Sequence, residues 1–262
     1  GEAKAITRDG RIIEGDRRII GWLARLYELM HDTRCCGLIE ISGDLSYITI
    51  EIEGRRARLY EFQVMDLSSC INDYQVLNVK GRSVLDIGAF VGDTAIYFYL
   101  RGASKVVSVE PSPWAFQVAK RNVEANRMDN IILINCAVDK EDGKKLSLSQ
   151  IETGIFFKER VLNNIGDVEI ITCSLDSLIE RFGPFDVLKM DCEGCEYYSI
   201  PHSKKLGEFE EILLEYHNGY DILARKLRSE GFRLKFSKIG TGKKYYDYPV
   251  DEKQGYIYAV KL

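Results

Sequence analysis

The sequence predicts an α/β protein built on a doubly wound, mainly parallel seven-stranded sheet, and three observations support this. From Ser83 onward, apolar segments of strand length alternate with segments of helical periodicity. The first of these strands are continuous apolar runs, as expected when helices cover both faces of a sheet. The chain of 262 residues is long enough for one such domain with an appendage. We therefore expect a ligand site at the carboxyl ends of the parallel strands.

Apolar periodicity assigns the individual elements. It predicts strands at residues 83–89, 105–110, 131–138, 186–191 and 211–217, and helices near 92–101, 113–126, 193–200 and 219–230. A further strand, VEIITCS, and a short helix, LDSLIERF, precede the fourth of these strands. The segments FRLKFSK and GYIYAVKL close the chain with no helix between them, which predicts an antiparallel hairpin at the sheet edge.

Residues 1–80 are predicted to cap the main domain of residues 81–262 or to mediate a homodimer. The segment Arg18–Met30 carries apolar residues at helical spacing. Two strand-like segments, 46–53 and 56–65, adjoin the link Glu53-Gly54-Arg55, which predicts an antiparallel hairpin. Asp66 then supplies an N-cap signal for a short helix.

Composition argues against several functional classes. The net charge of −4 gives no global electrostatic case for a nucleic-acid partner. No run of 18 apolar residues and no signal-peptide core occurs, so we expect a cytoplasmic protein without membrane insertion. The seven cysteines are odd in number and scattered, and we expect them to act as small apolar residues rather than as a disulfide framework. Cys192 and Cys195 form one CxxC pair that lacks further zinc ligands at suitable spacing.

The segment VLDIGAFVGDT, residues 84–94, is an apolar strand followed by a tight glycine turn and a helix start. A dinucleotide site needs G-x-G-x-x-G here so that the backbone can approach a pyrophosphate. Phe90 and Asp93 stand where the second and third glycines would be. Asp86, Asp93 and Glu110 would make this pocket anionic and would repel a pyrophosphate. A cationic nucleoside fits better, so we predict S-adenosylmethionine as the cofactor.

The ends of the next two strands complete the predicted cofactor site. The Glu110 carboxylate can accept hydrogen bonds from both hydroxyls of a ribose, and the alternative is that it caps the following helix. The Ala137 amide and the Asp139 side chain could read an adenine, unless this segment is a simple loop start. The predicted cofactor-binding set is Asp86, Gly88, Ala89, Phe90, Gly92, Asp93, Thr94, Glu110, Pro111, Ala137, Asp139 and Asp191.

A second group of ionisable residues ends the fourth and fifth main strands. Lys189 and Asp191 alternate on one face of VLKMD, and Glu215 and His217 repeat the arrangement in LLEYH. If these strands are neighbours, four ionisable groups gather at one edge of the sheet, with structural ion pairs as the alternative explanation. Two glutamates follow at i,i+3 spacing. The first, Glu193, could hold a substrate hydroxyl or complement the helix dipole.

An irregular insertion covers residues 139–166 between the third and fourth main strands. Loops of this length are usually functional lids or disordered connectors. We favour a substrate-facing loop because of its two adjacent phenylalanines. Its candidate residues are Ser149, Thr153, Gly154, Phe156 and Phe157.

These motifs resemble the FkbM family of S-adenosylmethionine-dependent methyltransferases. The matching segments are DIGAFVGD (86–93), VEP (109–111), SLDSL (174–178) with DVLKMDCEGCE (186–196), and EYH (215–217). The resemblance runs from about Lys80 to Gly231, and its long second block is far more specific than the glycine turn. Phe90 departs from the family, whose members commonly carry Asn there, and the segment before Lys80 lies outside the resemblance.

The resemblance implies a Rossmann-like class I methyltransferase fold and O-methylation of a sugar or another small molecule. Methyl transfer from a sulfonium needs alignment and, for an unactivated hydroxyl, a base. We hypothesise that His217 or Asp191 removes the acceptor proton, while Lys189, Glu193 and Glu215 orient the acceptor. Alternatively, a Mg²⁺ ion bound by Asp191 and Glu193 could take the place of the base, although no metal site is predicted.

Two other functions stay open. A nucleic-acid base methyltransferase typically shows an N/D-P-P-Y/F motif at the fourth strand end, where this chain has Asp191-Cys192-Glu193-Gly194. A non-catalytic module that binds S-adenosylmethionine could instead use the N-terminal hairpin as an interaction surface. We expect a small-molecule acceptor, including a glycan, and neither a nucleic-acid nor a membrane partner.

Overall fold

The computed structural model describes residues 1–6, 12–31, 36–42, 46–62, 65, 67–147, 168–239 and 244–262. Residues 149, 153, 154, 156 and 157 of the predicted substrate loop lie outside the described residues, as does the predicted N-cap at residue 66. No helix in the described part of the chain combines the length and apolar character needed to cross a lipid bilayer.

The described residues of the N-terminal part form two small antiparallel sheets and two helices. Its elements are β1 (Glu2–Ile6), β2 (Ile12–Asp16), α1 (Arg17–His31), β3 (Cys36–Ile41), β4 (Tyr47–Ile52), β5 (Arg55–Tyr60) and α2 (Leu67–Asn72), followed by a 3₁₀ turn at Tyr74–Val76. Strands β1 and β2 pair with each other, and β3, β4 and β5 form a three-stranded sheet. The predicted hairpin is confirmed, because Glu53 and Gly54 both adopt the positive φ angles of a two-residue turn, 49° and 78°.

Strands and helices alternate through the rest of the chain. The elements are β6 (Ser83–Ile87), α3 (Asp93–Leu100), β7 (Lys105–Val109), α4 (Pro113–Ala125), β8 (Ile131–Ile134), β9 (Ala137–Asp139), β10 (Lys145–Ser147), β11 (Glu169–Ser174), α5 (Leu175–Phe182), β12 (Val187–Met190), α6 (Glu196–Ser199), β13 (Glu211–Tyr216), α7 (Asp221–Ser229), β14 (Phe232–Ser237) and β15 (Gly255–Lys261).

The central sheet has seven strands in the order β14-β15-β13-β12-β6-β7-β8. Strands β8, β7, β6, β12 and β13 run parallel to one another, whereas β15 runs antiparallel to both β13 and β14. The predicted doubly wound, mainly parallel seven-stranded sheet is therefore confirmed. Because the chain proceeds outward from β6 to β8 and then returns to β12, the reversal point where ligands bind lies between β6 and β12.

Three predicted elements differ from the structure. The strand predicted over 56–65 ends at Tyr60, because Glu61 has a φ of 52°. The predicted third strand, 131–138, divides at Asn135, whose amide donates to the carbonyls of Glu110 and Pro111 at 2.8 and 3.0 Å. Strand β9 then joins β11 and β10 in a separate sheet. The predicted helix 193–200 begins only at residue 196, because Glu193 and Gly194 have φ angles of 57° and 123°, which a right-handed helix excludes.

The N-terminal hairpin packs directly on the main domain. Asn122 of α4 accepts a hydrogen bond from the Tyr60 amide at 2.8 Å and donates to the Tyr60 and Val91 carbonyls at 3.2 Å. Leu59 belongs to the same buried cluster as Phe98 of α3. The hairpin and the first two helices of the main domain thus share one core, and the division at residue 80 stays a prediction.

Two disulfides correct the expectation that the cysteines are isolated apolar residues. Cys136 is bonded to Cys173, and Cys192 is bonded to Cys195. The parallel pairing of β9 with β11 brings the first pair together, and so short a pairing leaves no periodic signal in the sequence. Cys70 is buried and takes part in neither disulfide.

Replacing Cys136 and Cys173 together by serine should lower the free energy of unfolding by about 2–4 kcal/mol. The cross-link spans 37 residues and restricts the unfolded chain. Urea denaturation measures the effect. The matched control is the Cys192→Ser/Cys195→Ser pair, which closes a separation of only 3 residues and should cost less. Equal stability of the wild type and the Cys136/Cys173 variant would contradict this account.

Candidate active site

The glycine turn after β6 lies against the backbone that follows β12. Gly88 has a φ of 82°, in the left-handed region. A Cβ atom at this position would lie 1.7 Å from the Asp191 carbonyl oxygen, so no other residue fits without moving the backbone. The turn predicted to hold the cofactor and the first residue after β12 are therefore in direct contact.

Phe90 occupies the tip of this turn with a φ of 46°. This conformation is costly for a bulky residue and is better tolerated by Asn, which gives a physical reason for the Asn that the family commonly carries there. The Phe90 amide donates to Glu110 Oε2 at 2.8 Å, and its ring lies 6.2 Å from that of Trp114. The backbone of Phe90 thus links the turn to the end of β7.

A buried ion pair lies beneath the turn. Asp86 and Lys189 face each other in the register of β6 and β12 and are 0% and 1% exposed. Lys189 Nζ lies 3.2 Å from Asp86 Oδ1 and donates to the carbonyls of Gly88 at 2.7 Å and Ile87 at 3.3 Å. Lys189 therefore supports the turn from within the sheet, and its role in orienting a substrate stays a prediction.

The surroundings favour the charged form of Lys189. Burial disfavours the Lys189 ammonium, but the carboxylates of Asp86 and Asp191 outweigh burial and raise its pKa. Asp86 Oδ2 accepts hydrogen bonds from Thr94 Oγ1 at 2.6 Å and Ser108 Oγ at 3.0 Å. The predicted cofactor residues Asp93 and Thr94 are themselves buried in the first turn of α3.

Glu110 is buried at the end of β7 and accepts two backbone hydrogen bonds. Its Oε2 receives the Phe90 amide, and its Oε1 receives the Ser112 amide at 2.7 Å. Ser112 itself caps α4 by accepting from the Ala115 amide, so Glu110 is not needed as the cap. Burial raises the pKa of Glu110 to about 7, although both amides act to lower it.

Ala137 and Asp139 lie in β9, outside the central sheet. Ala137 is buried, and Asp139 accepts from the Lys140 amide at 2.7 Å while Lys144 Nζ lies 3.5 Å from its Oδ2. The sequence did not single out Asn135, which holds the Glu110 and Pro111 carbonyls and thereby fixes the loop after β7. A lone Asn at a strand end carries no distinctive signal.

His217 is the centre of an acidic cluster at the ends of β12 and β13. Its Nε2 lies 3.6 Å from Glu215 Oε1, 3.7 Å from Glu193 Oε2 and 3.9 Å from Asp191 Oδ1. Its Nδ1 lies 2.8 Å from Glu196 Oε1. Four of the five predicted catalytic residues therefore meet, and Lys189 is the exception. We refer to His217 and the four carboxylates around it, Asp191, Glu193, Glu196 and Glu215, as the His217 cluster.

Mutual repulsion and burial shift the ionisation of this cluster. Burial opposes charge on His217, but its hydrogen bond to Glu196 and the nearby Glu215 and Asp191 carboxylates raise its pKa to about 9. Burial and the Asp191 charge raise the pKa of Glu215 to about 8. Burial also raises the pKa of Glu193. The cluster therefore holds its protons more tightly than isolated groups would, which lowers the mutual repulsion of the carboxylates.

Three residues without a predicted role complete the site. The Tyr74 hydroxyl donates to Asp191 Oδ2 at 2.7 Å, and the Tyr256 hydroxyl bonds to Glu215. Glu196 is fully buried, and its Oε2 accepts the Gly194 amide at 2.9 Å. Tyr74 is 117 residues from its partner and lies outside the resemblance, so no local pattern could identify it. Glu196, by contrast, is the final residue of the motif DVLKMDCEGCE.

Comparison with known proteins also indicates a methyltransferase. A profile of the methyltransferase FkbM domain matches residues 86–234. A protein of Methanocaldococcus jannaschii, named provisionally as a protein N5-glutamine methyltransferase, is 33% identical over 191 residues, which are 72% of this chain and 90% of that protein. The ribosomal RNA large subunit methyltransferase I of an Enterobacter species is 34% identical over 80 residues, which are 30% of this chain and 19% of that protein.

Among solved structures, the Aeropyrum pernix fibrillarin with natively bound S-adenosyl-L-methionine is similar over 99% of this chain and 94% of its own. The sequence identity is 16% and the TM-score is 0.46. The family match, by contrast, spans more than half of the chain and includes both the glycine turn and the His217 cluster. The chain belongs to the FkbM family of S-adenosylmethionine-dependent methyltransferases.

Proposed function

We propose that this protein transfers a methyl group from S-adenosylmethionine to a hydroxyl of a small molecule that binds at the His217 cluster. The observation that carries the proposal is the contact between Gly88 and the Asp191 backbone. Because of this contact, an acceptor held by Asp191 lies next to the turn proposed to hold the cofactor. Alignment of two reactants in this way is a major source of catalytic rate.

The residues at the turn fit a cationic nucleoside. When bound, S-adenosylmethionine supplies an electrophilic methyl group on a sulfonium. Glu110 uses two of about four acceptor positions on its carboxylate for backbone amides, which leaves capacity for ribose hydroxyls. Asp86 Oδ1 receives no aligned hydrogen bond from the described residues and has only its ion pair with Lys189. The carboxylates of Glu110 and Asp86 would favour a ligand with a positive charge and hydrogen-bond donors over a pyrophosphate.

The His217 cluster supplies what a hydroxyl acceptor needs. A hydroxyl must lose its proton during transfer, and carboxylates are suitable proton acceptors. Tyr74 fixes Asp191 Oδ2, while Asp191 Oδ1 is turned toward His217. The side chains of Asp191 and Glu193 are 26% and 35% exposed, so both can be reached by an acceptor. We therefore propose that Asp191 and His217 contact the acceptor hydroxyl.

Methylation of a protein amide nitrogen is the second candidate, favoured by the name of the Methanocaldococcus jannaschii relative. Methyltransferases that act on the amino groups of nucleic-acid bases typically place an N/D-P-P-Y/F motif where this chain has Asp191-Cys192-Glu193-Gly194. A planar amide nitrogen is best held by uncharged hydrogen-bond acceptors, whereas this segment carries the carboxylates of Asp191 and Glu193. The local chemistry therefore favours the hydroxyl acceptor.

Transfer of labelled methyl groups to a panel of monosaccharides, polyols, glutamine-containing peptides and ribosomal RNA tests the proposal. We expect label in hydroxyl compounds, and we expect Asp191→Asn and His217→Ala each to lower kcat by about 10²-fold or more. The matched control is Glu210→Gln, an exposed acid at the opposite end of β13 that pairs with Arg82 and should keep full activity. Label only in peptide or RNA, or normal turnover by both site variants, would refute the proposal.

Cofactor affinity should depend on the ionisation of Glu110. Its pKa of about 7 means that the carboxylate is lost as pH falls through neutrality, and only the ionised form accepts from both ribose hydroxyls. Titration calorimetry with S-adenosylhomocysteine should therefore show binding up to about tenfold weaker at pH 6 than at pH 8. Glu110→Gln should bind weakly at both pH values. A flat profile for the wild type would remove Glu110 from the cofactor site.

A further inference from the structure

We propose that Asp191, Glu215 and His217 form a binding site for one divalent cation of the Mn²⁺ type. One ligand atom from each residue lies within 4.8 Å of the other two. Ligand atoms around such an ion are about 3 Å apart when adjacent and about 4.5 Å apart when opposite. The Nε2 distances of 3.6 Å to Glu215 and 3.9 Å to Asp191 are within this range, so small side-chain movements suffice to close the site.

The orientation of His217 is the observation that separates this site from an ordinary group of acids. The fully buried Glu196 carboxylate lies 2.8 Å from Nδ1 and holds a proton on that nitrogen. Nε2 is then directed at the carboxylates of Asp191 and Glu215. In metal sites, a carboxylate commonly binds the second nitrogen of a histidine ligand in this way, fixing its tautomer and increasing its basicity.

The two carboxylate ligands are held from outside in the same manner. Tyr74 donates to Oδ2 of Asp191, so Oδ1 is the atom turned toward His217 Nε2. The Tyr256 hydroxyl bonds to the Glu215 carboxylate, whose Oε1 is the atom near Nε2. Both tyrosines are buried and come from distant parts of the chain. Asp191 and His217 thus each have one atom fixed by a buried partner and another directed at the shared centre, while Glu215 is bonded to the buried Tyr256.

The charge balance also calls for a cation. Asp191, Glu193, Glu196 and Glu215 surround a single imidazole, and the nearest buried ammonium, Lys189, is already paired with Asp86 at 3.2 Å. Carboxylates held together without compensation repel one another. A divalent ion would offset this repulsion with positive charge that, among the described residues, only His217 places between these carboxylates.

The donor set selects the class of ion. Two carboxylate oxygens and one imidazole nitrogen suit Mn²⁺ better than Mg²⁺, which prefers oxygen ligands and keeps most of its water. Glu193, whose Oε2 lies 3.7 Å from Nε2, is available as a fourth ligand or as the proton acceptor. The ion could orient an acceptor hydroxyl only if the proposed function is correct. The metal-binding site itself does not depend on that function.

Titration of the EDTA-treated full chain with MnCl₂ tests the proposal, by calorimetry and by the loss of the free Mn²⁺ paramagnetic resonance signal. No cofactor or acceptor is present. We expect one Mn²⁺ per wild-type chain, with tighter binding than Mg²⁺. The Asp191→Asn/Glu215→Gln variant should bind at least 100-fold more weakly. Glu196→Gln should bind about 10- to 100-fold more weakly, because it keeps all three ligands and loses only their support.

Glu210→Gln is the matched control and should bind like the wild type, since its carboxylate lies with Arg82 at the far end of β13. Thermal melting without metal checks that each variant is folded. If the double variant does not fold, the Glu196→Gln variant by itself still tests the site. Absence of saturable binding at millimolar Mn²⁺, or wild-type binding by the double and Glu196→Gln variants, would overturn the site. Intact binding without hydroxyl methylation would refute only the proposed function.

Discussion

The buried ion pair between Lys189 and Asp86 is the interaction on which the rest of the site depends. It joins the carboxyl ends of two adjacent parallel strands at the reversal point of the sheet. Two charges out of water are tolerated only when they are paired and hydrogen-bonded. The Gly88 and Ile87 carbonyls, Thr94 and Ser108 complete that bonding, so the pair also specifies the path of the backbone through the turn.

Both halves of the site follow from this fixed turn. On one side, the Phe90 amide reaches Glu110, so the residues after β6 and β7 that are proposed to bind the cofactor form one bonded unit. On the other side, Gly88 contacts the Asp191 carbonyl, which places the His217 cluster against that unit. The outer support of the cluster comes from Tyr74, in the segment that precedes the family match. The N-terminal part of the chain therefore contributes a hydrogen-bond donor to the proposed site.

The sequence predicted those features that depend on local pattern. Apolar runs and glycine turns located the parallel strands, and alternation along VLKMD and LLEYH correctly brought Asp191, Glu215 and His217 together. The sequence could not show that Lys189 faces Asp86, since this requires knowing that β6 is the neighbour of β12. It also missed Tyr74, whose contact spans 117 residues. Glu193 was misplaced in a helix because nothing local revealed the Cys192–Cys195 disulfide and the left-handed backbone between them.

The most direct test of this account is a double-mutant cycle on the free energy of unfolding, measured in urea for Lys189→Met, Asp86→Asn and the double variant. If the pair anchors the turn, each single change leaves a buried charge unpaired and should cost about 3–5 kcal/mol. The double variant should then lose at least about 2 kcal/mol less than the two single losses combined. Additivity to within about 0.5 kcal/mol would contradict the account, because Lys189 and Asp86 would then contribute independently.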